Sequence, residues 1–196
     1  MSNNVRNYRD SQIIDRIESL ETFKGWKKGK YFVAISSDED DSNEFDDKFY
    51  LFEVFKDGGL PVFFSVAIGT ANSGKQGLLN FESNNKLGCA VSCKDVIVYE
   101  SHIYGLHGKT KYPAYIQSYT VGFPYTRDND KDLKAKNYGK IYYDRIGINI
   151  HKAGENTAYV NGNSVGCWVF KRSQDFDKFM KWANKQPMNV ANLKEF

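Results

Sequence analysis

The chain is poor in the residues that build disulfide scaffolds and zinc modules. Its 196 residues include 3 Cys, 3 His and 4 Pro. Three cysteines cannot all pair, so a disulfide framework is not expected and at least one thiol should be free. Cys89 and Cys93 stand in a C-x3-C spacing without a second pair of ligands, which argues against zinc. We predict these two either as core thiols or as a disulfide.

Long apolar runs and an excess of one charge are missing as well. No segment approaches the roughly 20 apolar residues of a membrane-spanning helix, so no membrane span is predicted. With 27 Lys+Arg against 24 Asp+Glu, the net charge is only +3, and nucleic acid is not an expected partner. Residues 1–4 lack the start of a secretory signal. This favours a cytosolic protein, export by a route that needs no such signal, or a shortened chain.

The sequence is instead rich in short runs of β-branched and aromatic residues. Aromatic residues make up 15% of the chain, which is typical of a globular domain with a sizeable core. Helical spacing predicts one helix over residues 11–23, capped by Asp10 or Ser11, and a second that begins at Ser173. A hairpin turn is predicted at residues 57–59. Strands are predicted over residues 31–35, 49–55, 62–68, 96–104, 112–121 and 141–150.

These elements predict a mainly β fold with flanking α-helices (α+β). We expect an N-terminal helical segment at residues 1–29 and a β-rich domain at residues 30–196 that ends in a C-terminal helix. The acidic stretch of residues 38–47 is predicted to be a solvated loop. Asp128, Asp130 and Asp132 alternate like the ligands of a calcium loop, but Leu133 and Gly139 occupy the positions of its central Gly and bidentate Glu. No metal site is therefore predicted.

The residues best suited to chemistry lie in the last third of the chain. In a strand, Ile148 and Ile150 would point to the core while Asn149 and His151 share the other face. Cys167 follows His151 by sixteen positions, which is enough for the chain to reverse and place the thiol beside the imidazole. An imidazole can take the thiol proton and activate the sulfur as a nucleophile. A buried structural Cys167 and a hydrogen-bonded His151 form the open alternative, because free Cys is commonly buried.

Several neighbours have predicted supporting roles. Gly166 leaves room for a substrate carbonyl, N–H groups at this turn could form an oxyanion hole, and Ser164 could orient the loop. Arg145, Asn149 and His107 are the predicted substrate-binding residues, with Asn149 favoured because it shares the face of His151. His102 and His107 are alternative bases, although a structural role is favoured for each. The tyrosines at 112, 115, 119 and 125 could line a groove but are more typical of core or cross-strand pairs.

Two motifs in this region resemble a known family. The segment Ile148-Asn149-Ile150-His151, thirteen positions before Ser164-Val165-Gly166-Cys167, resembles the signature of L,D-transpeptidase catalytic domains with the YkuD-like fold. In that family a His precedes a Ser/Thr-X-Gly-Cys box. Upstream, Ala67-Ile68-Gly69-Thr70 followed by Gly74 and Gly77 is similar to the family's Gly-Thr and Gly turn. The resemblance covers residues 30–171, and its specific parts are the His and the box.

The resemblance implies a β-sandwich or barrel core and an enzyme that acts on peptidoglycan stem peptides without a cofactor. Cys167 would attack the carbonyl of the diamino acid at the third stem position, and D-alanine would leave. An amine or water would then resolve the thioester, giving cross-linking, exchange or L,D-carboxypeptidase trimming. His151 would be general base and acid, oriented by the backbone carbonyl of Lys152. Gly166 and Cys167 would supply the oxyanion N–H groups.

Three positions depart from the family pattern. Lys152 follows the His in place of Gly or Ser, Val165 replaces a His inside the box, and Val169 replaces an Arg or Asn. A divergent branch would account for them, such as a phage lytic protein or an injected antibacterial effector that acts in the periplasm or cell wall, with an immunity or delivery protein as partner. This rests on analogy. The alternatives are a non-catalytic wall-binding module and a cysteine peptidase of other substrate. The enzyme hypotheses expect a lowered pKa at Cys167.

Overall fold

A computed structural model describes residues 7–37, 43–83, 85–155 and 157–196. The predicted class is confirmed, because the described chain is mainly β with flanking helices. The helices are α1 (Asp10–Glu18), α2 (Lys75–Leu79) and α3 (Ser173–Ala183), with short 3-10 turns at Phe81–Ser83 and Asn161–Asn163. The strands are β1 (Gly29–Ser36), β2 (Asp47–Val54), β3 (Val62–Thr70), β4 (Cys89–Ser92), β5 (Val96–His107), β6 (Tyr112–Gln117), β7 (Tyr125–Asp128), β8 (Ile150–Lys152), β9 (Trp168–Phe170) and β10 (Met188–Lys194).

Eight of the strands close into a barrel in the order β1-β10-β5-β6-β8-β9-β3-β2. The β1–β10 and β8–β9 pairs are parallel, and the other neighbours in the barrel are antiparallel. Closure depends on a short pairing in which Gly69 and Thr70 of β3 lie opposite Phe170 and Val169 of β9. The remaining strands, β4 and β7, form a separate antiparallel sheet.

Two apolar layers cover the two faces of β1. Phe32 and Ala34 belong to the barrel cluster with Trp168 and Phe170, whereas Tyr31, Val33 and Ile35 belong to a second cluster with Ile13 and Ile17 of α1. Because strand side chains alternate between faces, burial on both sides explains why β1 is apolar at nearly every position. Each large apolar side chain buried in this way contributes about 1.5–3 kcal/mol. The N-terminal helix therefore packs on the barrel itself.

The expected C-terminal helix is not the end of the domain. After α3 the chain continues into β10, which lies between β1 and β5 in the barrel. The prediction was wrong because polar residues interrupt the apolar signal of this strand. Asn189 accepts a hydrogen bond from the Glu100 N–H at 3.0 Å, and Asn192 donates to the Cys93 carbonyl at 3.0 Å. Both side chains are buried, and each is satisfied by a residue distant in sequence.

The strand predicted over residues 141–150 is also wrong in most of its length. Only Ile150 belongs to a strand, and Tyr142 makes an isolated bridge with Tyr125. The backbone of the segment is held differently, because the Gln117 side-chain oxygen accepts from the N–H groups of residues 146, 147 and 148 at 3.0, 3.0 and 3.3 Å. Hydrogen bonds to the Gln117 side chain thus take the place of the strand-to-strand hydrogen bonds that the alternation of apolar residues predicts.

The acidic segments differ from their predicted state. Residues 38–42 lie outside the described part of the chain, and the end of the predicted solvated loop is wrong, because Asp46 and Asp47 are buried. Asp47 accepts from the N–H of Ser37 at 2.8 Å and of Ala71 at 2.6 Å. In the 128–132 segment, the Lys136 ammonium contacts the carboxylates of both Asp130 and Asp132.

The structure also bears on the predictions about the cysteines and about a membrane span. All 3 cysteines are free thiols, and Cys89 and Cys93 are buried. Of the two alternatives for this pair, core thiols are therefore confirmed and a disulfide is not. Of the described helices, none combines the length and the apolar composition that crossing a membrane requires.

Candidate active site

The parallel pairing of β8 with β9 brings together the two residues singled out from the sequence. Ile150 lies opposite Trp168 and His151 opposite Val169, and the Trp168 N–H donates to the Asn149 carbonyl at 2.8 Å. Ile148 and Ile150 are buried in the barrel cluster, as expected. His151 and Cys167 therefore stand on one face, diagonally across two neighbouring strands, with about 8 Å between their Cα atoms from standard strand spacing.

His151 is buried and held in one tautomer. Its Nδ1 lies 2.9 Å from the Lys152 carbonyl oxygen, the partner that the resemblance implies. Because a carbonyl only accepts, Nδ1 carries the proton and Nε2 presents a lone pair. Burial, reinforced by the neighbouring His107, lowers the pKa of His151 to about 4. The imidazole is therefore neutral at neutral pH and has one nitrogen ready to accept a proton.

The Cys167 thiol is half-buried and contacts backbone groups. Its Sγ lies 3.5 Å from the Asn149 N–H and 3.4 Å from the Gly147 carbonyl oxygen, and within the described ranges no hydrogen bond joins it to His151. Burial raises the pKa of the Cys167 thiol to about 11. The lowered pKa expected of an activated thiol is thus contradicted for the free protein, where a neutral thiol lies near a neutral imidazole.

Residues 164–167 form a tight turn before β9. The Ser164 hydroxyl donates to the Cys167 carbonyl at 2.7 Å and accepts from the Gly166 N–H at 3.2 Å, which fits the predicted role of Ser164 in orienting the loop. Gly166 has φ +124°, and a Cβ there would lie 3.0 Å from the side chain and carbonyl of Ala90. The backbone conformation and the close approach of β4 therefore both require glycine at this position.

The oxyanion prediction needs a correction at Gly166. Its N–H is already bonded to Ser164, so it is not free to bind a developing oxyanion. The N–H of Cys167 itself has no acceptor in the portion of the chain that the structure describes. The geometry therefore leaves one of the two expected oxyanion donors, the Cys167 N–H, rather than both.

His107 and Asn149 are joined to the candidate pair. The His107 ring stacks on that of His151 with centroids 4.1 Å apart and an interplanar angle of 16°. The Asn149 amide nitrogen donates to His107 Nδ1 at 3.0 Å, and its oxygen accepts from the Gln117 N–H at 3.0 Å. Burial lowers the pKa of His107. His107 is therefore held against His151, and Asn149 is fixed by its bonds to His107 and Gln117.

The other predicted residues lie outside this cluster. Arg145 donates from Nε to the Gln117 carbonyl at 3.1 Å and stacks over Tyr119 at 4.4 Å, which ties it to a loop rather than to the pair. His102 is buried, with Nε2 2.7 Å from the Ile148 carbonyl and Nδ1 2.9 Å from the Ser101 hydroxyl. Its role is structural, and it is not an alternative base.

The four tyrosines do not form a common groove. Tyr115 and Tyr125 are buried, whereas Tyr119 is 70% exposed. Tyr112 packs edge-on against His107 with centroids 5.5 Å apart, so it is the one tyrosine of the four whose ring meets the described cluster. Core or cross-strand packing, the alternative favoured from the sequence, therefore applies to three of them, because Tyr112 also packs against the barrel cluster and lies opposite His107 in the β5–β6 pair.

Two cavities adjoin the site on different sides. One of about 380 Å³ is lined by Cys167, Gly147 and Arg127 among others. The second, of about 420 Å³, is lined by His107, Tyr112 and His151, together with Lys152 and Glu155. The thiol and the imidazole thus open on separate spaces, and a substrate that engages both must extend across the β8–β9 face.

Two residues of the site could not be found from sequence spacing. Gln117 holds the turn whose Gly147 carbonyl contacts the thiol, yet it lies 30 residues before that turn. Arg127 reaches the cavity of Cys167 from β7, a strand that was not predicted. Neither residue belongs to a motif, and only the folded chain brings them to the site.

Comparison with known proteins adds no relative. The chain matches no protein-family model, and neither the curated proteins nor the solved structures give a match. The resemblance to L,D-transpeptidases therefore depends on His151 and on the box of residues 164–167.

Proposed function

We propose that the protein is a cysteine acyl-transfer enzyme of the L,D-transpeptidase type that acts on peptidoglycan stem peptides. The observation that carries the proposal is the parallel β8–β9 pairing. It places Cys167 and His151 on one face, with the His151 Nδ1 proton held by the Lys152 carbonyl. This arrangement supplies a nucleophile, a base of defined tautomer and a group that orients the base.

The steps follow from these positions. The Cys167 thiol passes its proton to His151 Nε2 as sulfur attacks the carbonyl carbon, and the carbonyl oxygen becomes an oxyanion near the Cys167 N–H. The intermediate collapses, the C–N bond breaks, and the imidazolium returns the proton to the departing amine. A second amine or water then gives up a proton to His151, attacks the thioester and releases Cys167 as a thiol. The products are a cross-link, an exchanged stem or a trimmed stem.

The resting site must change before the first step. Because the pKa of Cys167 is raised and that of His151 is lowered, the neutral pair is favoured over the ion pair. Rotation of the Cys167 side chain from the Gly147 carbonyl toward Nε2 would bring donor and acceptor together. Proton transfer then accompanies attack on the substrate, so the thiol gains reactivity chiefly when a substrate is bound.

Place of action and partners follow from the same proposal. Stem peptides lie in the periplasm or cell wall, so the enzyme would act there. Delivery by a phage or by a secretion machine, with an immunity or delivery protein as partner, is part of the proposal by analogy.

Incubation with purified muropeptides, with the products identified by mass, tests the function directly. We expect loss of D-alanine from tetrapeptide stems and either cross-linked or trimmed products. Cys167→Ala should abolish turnover, whereas Cys93→Ala, which alters a buried thiol outside the site, should retain it. Turnover that persists in Cys167→Ala would remove the assigned nucleophile.

A specific observation favours a second function, a non-catalytic wall-binding module that keeps the fold. In the free protein, Cys167 Sγ is directed to the Gly147 carbonyl and its pKa is raised rather than lowered. If this is the functional state, purified peptidoglycan should be retained equally by the native protein and by Cys167→Ala. No muropeptide should then change mass with either protein.

A further inference from the structure

We propose that Arg127 is a specificity-determining residue that binds a carboxylate of the acyl donor within the cavity of Cys167. The inference rests on the proposed function for the identity of the donor. The preference for a carboxylate rests on the cavity itself.

The composition of this cavity is uneven in charge. Its lining consists of apolar side chains, backbone groups, one amide and two thiols, and Arg127 is the single charged residue among the described residues that line it. No carboxylate of the lining neutralises the guanidinium. A cation in a concave, largely apolar space attracts an anion more strongly than an exposed cation does, because less water screens it.

Neutral partners hold the guanidinium in place. Nη1 donates to the Gly88 carbonyl at 3.1 Å, Nη2 lies 3.5 Å from the Tyr125 hydroxyl, and the group stacks over the Tyr125 ring at 4.9 Å. The Tyr125 hydroxyl donates in turn to Asp144 at 2.8 Å. The structure gives Arg127 no ion pair within the described ranges, and its buried Nε has no acceptor there. A planar guanidinium held directly by neutral groups, with Asp144 reached only through the Tyr125 hydroxyl, is preorganised for a carboxylate.

Strand pairing connects Arg127 to the nucleophile. Arg127 of β7 lies directly opposite Ala90 of β4, and Ala90 packs so closely on Gly166 that a Cβ at Gly166 would lie 3.0 Å from it. Gly166 immediately precedes Cys167. Paired residues in antiparallel strands are about 4.5–5.5 Å apart between Cα atoms, so the chain path from the cation to the sulfur is short. The β4–β7 sheet therefore places the cation on the wall of the cavity that Cys167 also lines.

Two carboxylates of a stem peptide could meet this cation. One is the terminal carboxylate of the departing D-alanine, and the other is a carboxylate on the side chain of the diamino acid. Both lie close to the scissile carbonyl, so the chemistry recognised is the same and a pair of amidated peptides distinguishes the sources.

Alkylation of Cys167 tests the anion preference without any peptidoglycan. Iodoacetate and iodoacetamide have nearly the same shape and differ in charge. The alkylation rate with each reagent is measured at pH 9 and low salt from the mass of the Cys167 peptide. The ratio of the iodoacetate rate to the iodoacetamide rate is then divided by the same ratio measured for 2-mercaptoethanol, which removes the intrinsic difference between the reagents. We expect a normalised ratio of about 10 in the native protein, about 1 in Arg127→Gln and an intermediate value in Arg127→Lys. Arg172→Gln, at an exposed site, is the matched control and should keep the native ratio.

Stem tetrapeptides identify the carboxylate. We compare kcat/KM for the acid, for the peptide with a terminal carboxamide and for the peptide with the diamino acid amidated. One amidation should lower native kcat/KM about 10- to 100-fold, the range of a charge-assisted contact. In Arg127→Gln, kcat/KM should be the same for that amidated peptide and for the acid. The amide that loses activity shows which carboxylate Arg127 binds.

The outcomes separate the two proposals. A native alkylation ratio near 1, or an equal loss on acid and amides in Arg127→Gln, would overturn the anion site. If no stem peptide is turned over while the Arg127-dependent alkylation ratio persists, the proposed function falls and the anion site stands. Circular dichroism establishes folding, and should Arg127→Gln unfold, Arg127→Lys carries the comparison because it keeps charge without the planar fork.

Discussion

Two buried histidines on opposite faces of the barrel wall have the same lowered pKa and different surroundings. Burial lowers the pKa of both His102 and His151 to about 4, and each contacts a backbone carbonyl. His102 also contacts the Ser101 hydroxyl through its second nitrogen and stacks on Trp168 at 5.5 Å. His151 has no such second partner among the described residues, and its ring meets His107 and a cavity instead.

Unused hydrogen-bonding capacity therefore marks the candidate base better than burial or pKa does. A buried imidazole with both nitrogens satisfied fixes its neighbours, because any movement breaks two hydrogen bonds. One with a free lone pair, facing a cavity and next to a thiol, can accept a proton from a substrate complex. The following predictions test whether this difference separates structural from functional histidine.

Substitution of each histidine by alanine should give the largest contrast. His151→Ala is expected to lower kcat/KM on muropeptides by about 10³-fold, within the range of a lost general base, and to lower the free energy of unfolding less than His102→Ala does, because its ring already borders a cavity. His102→Ala should instead lower the free energy of unfolding by about 2–4 kcal/mol, because it leaves a cavity and an unpaired carbonyl. Steady-state kinetics and urea unfolding measure the two effects. If the two variants exchanged these phenotypes, the comparison would be reversed.

Acid should destabilise the fold through the same two groups. Each folded-state pKa is about 4, against about 6.5 unfolded, so the unfolded chain binds more protons between these values. Stability is therefore full above about pH 6.5 and falls as pH drops toward 4, by up to about 3 kcal/mol per histidine. His102→Gln should remove only the share of this pH dependence that His102 contributes, because His151 and His107, whose pKa burial also lowers, retain theirs. Urea unfolding at pH 4.5, 5.5 and 7 provides the measurement, and a pH-independent free energy of unfolding would contradict the neutral state of both rings.

The free thiol should be slow to alkylate at neutral pH. With the pKa of Cys167 raised from 9.0 to about 11, its thiolate fraction at pH 7 is about 100-fold below that of an ordinary Cys. We expect the iodoacetamide rate to rise with pH through pH 9, with little effect of His151→Ala in the free protein. A plateau below pH 8 that His151→Ala abolishes would instead show a preformed ion pair.

The sequence indicated the strand class and the face of His151 because alternation is local, whereas the state of the site depends on distant residues. Ile148 and Ile150 predict their own burial, but the simple chain reversal expected between His151 and Cys167 is wrong, because β8 and β9 are parallel and their connection is a crossover. The Gln117 contacts with residues 146–148 replace a predicted strand, and the Ala90 contact explains Gly166. The raised pKa of Cys167 also follows from burial by the whole fold. None of these has a signal within a short window.

The smallest expected effect concerns His107, which stacks on His151 and accepts from Asn149. His107→Phe keeps an aromatic ring on His151 but removes the acceptor and the second ionisable ring, and kcat/KM should fall about 10-fold. Since His107 helps to lower the pKa of His151, the acid limb of the kcat/KM profile should also move to higher pH. His107→Gln retains an acceptor for Asn149, so it should recover part of the lost kcat/KM. It should not return the acid limb of the pH profile to its native position, because the second ionisable ring is still missing. If both variants have a lower kcat/KM but an unchanged acid limb, His107 only packs against His151 and does not alter its pKa. The difference between the two buried histidines would then depend on the Nε2 lone pair of His151 alone.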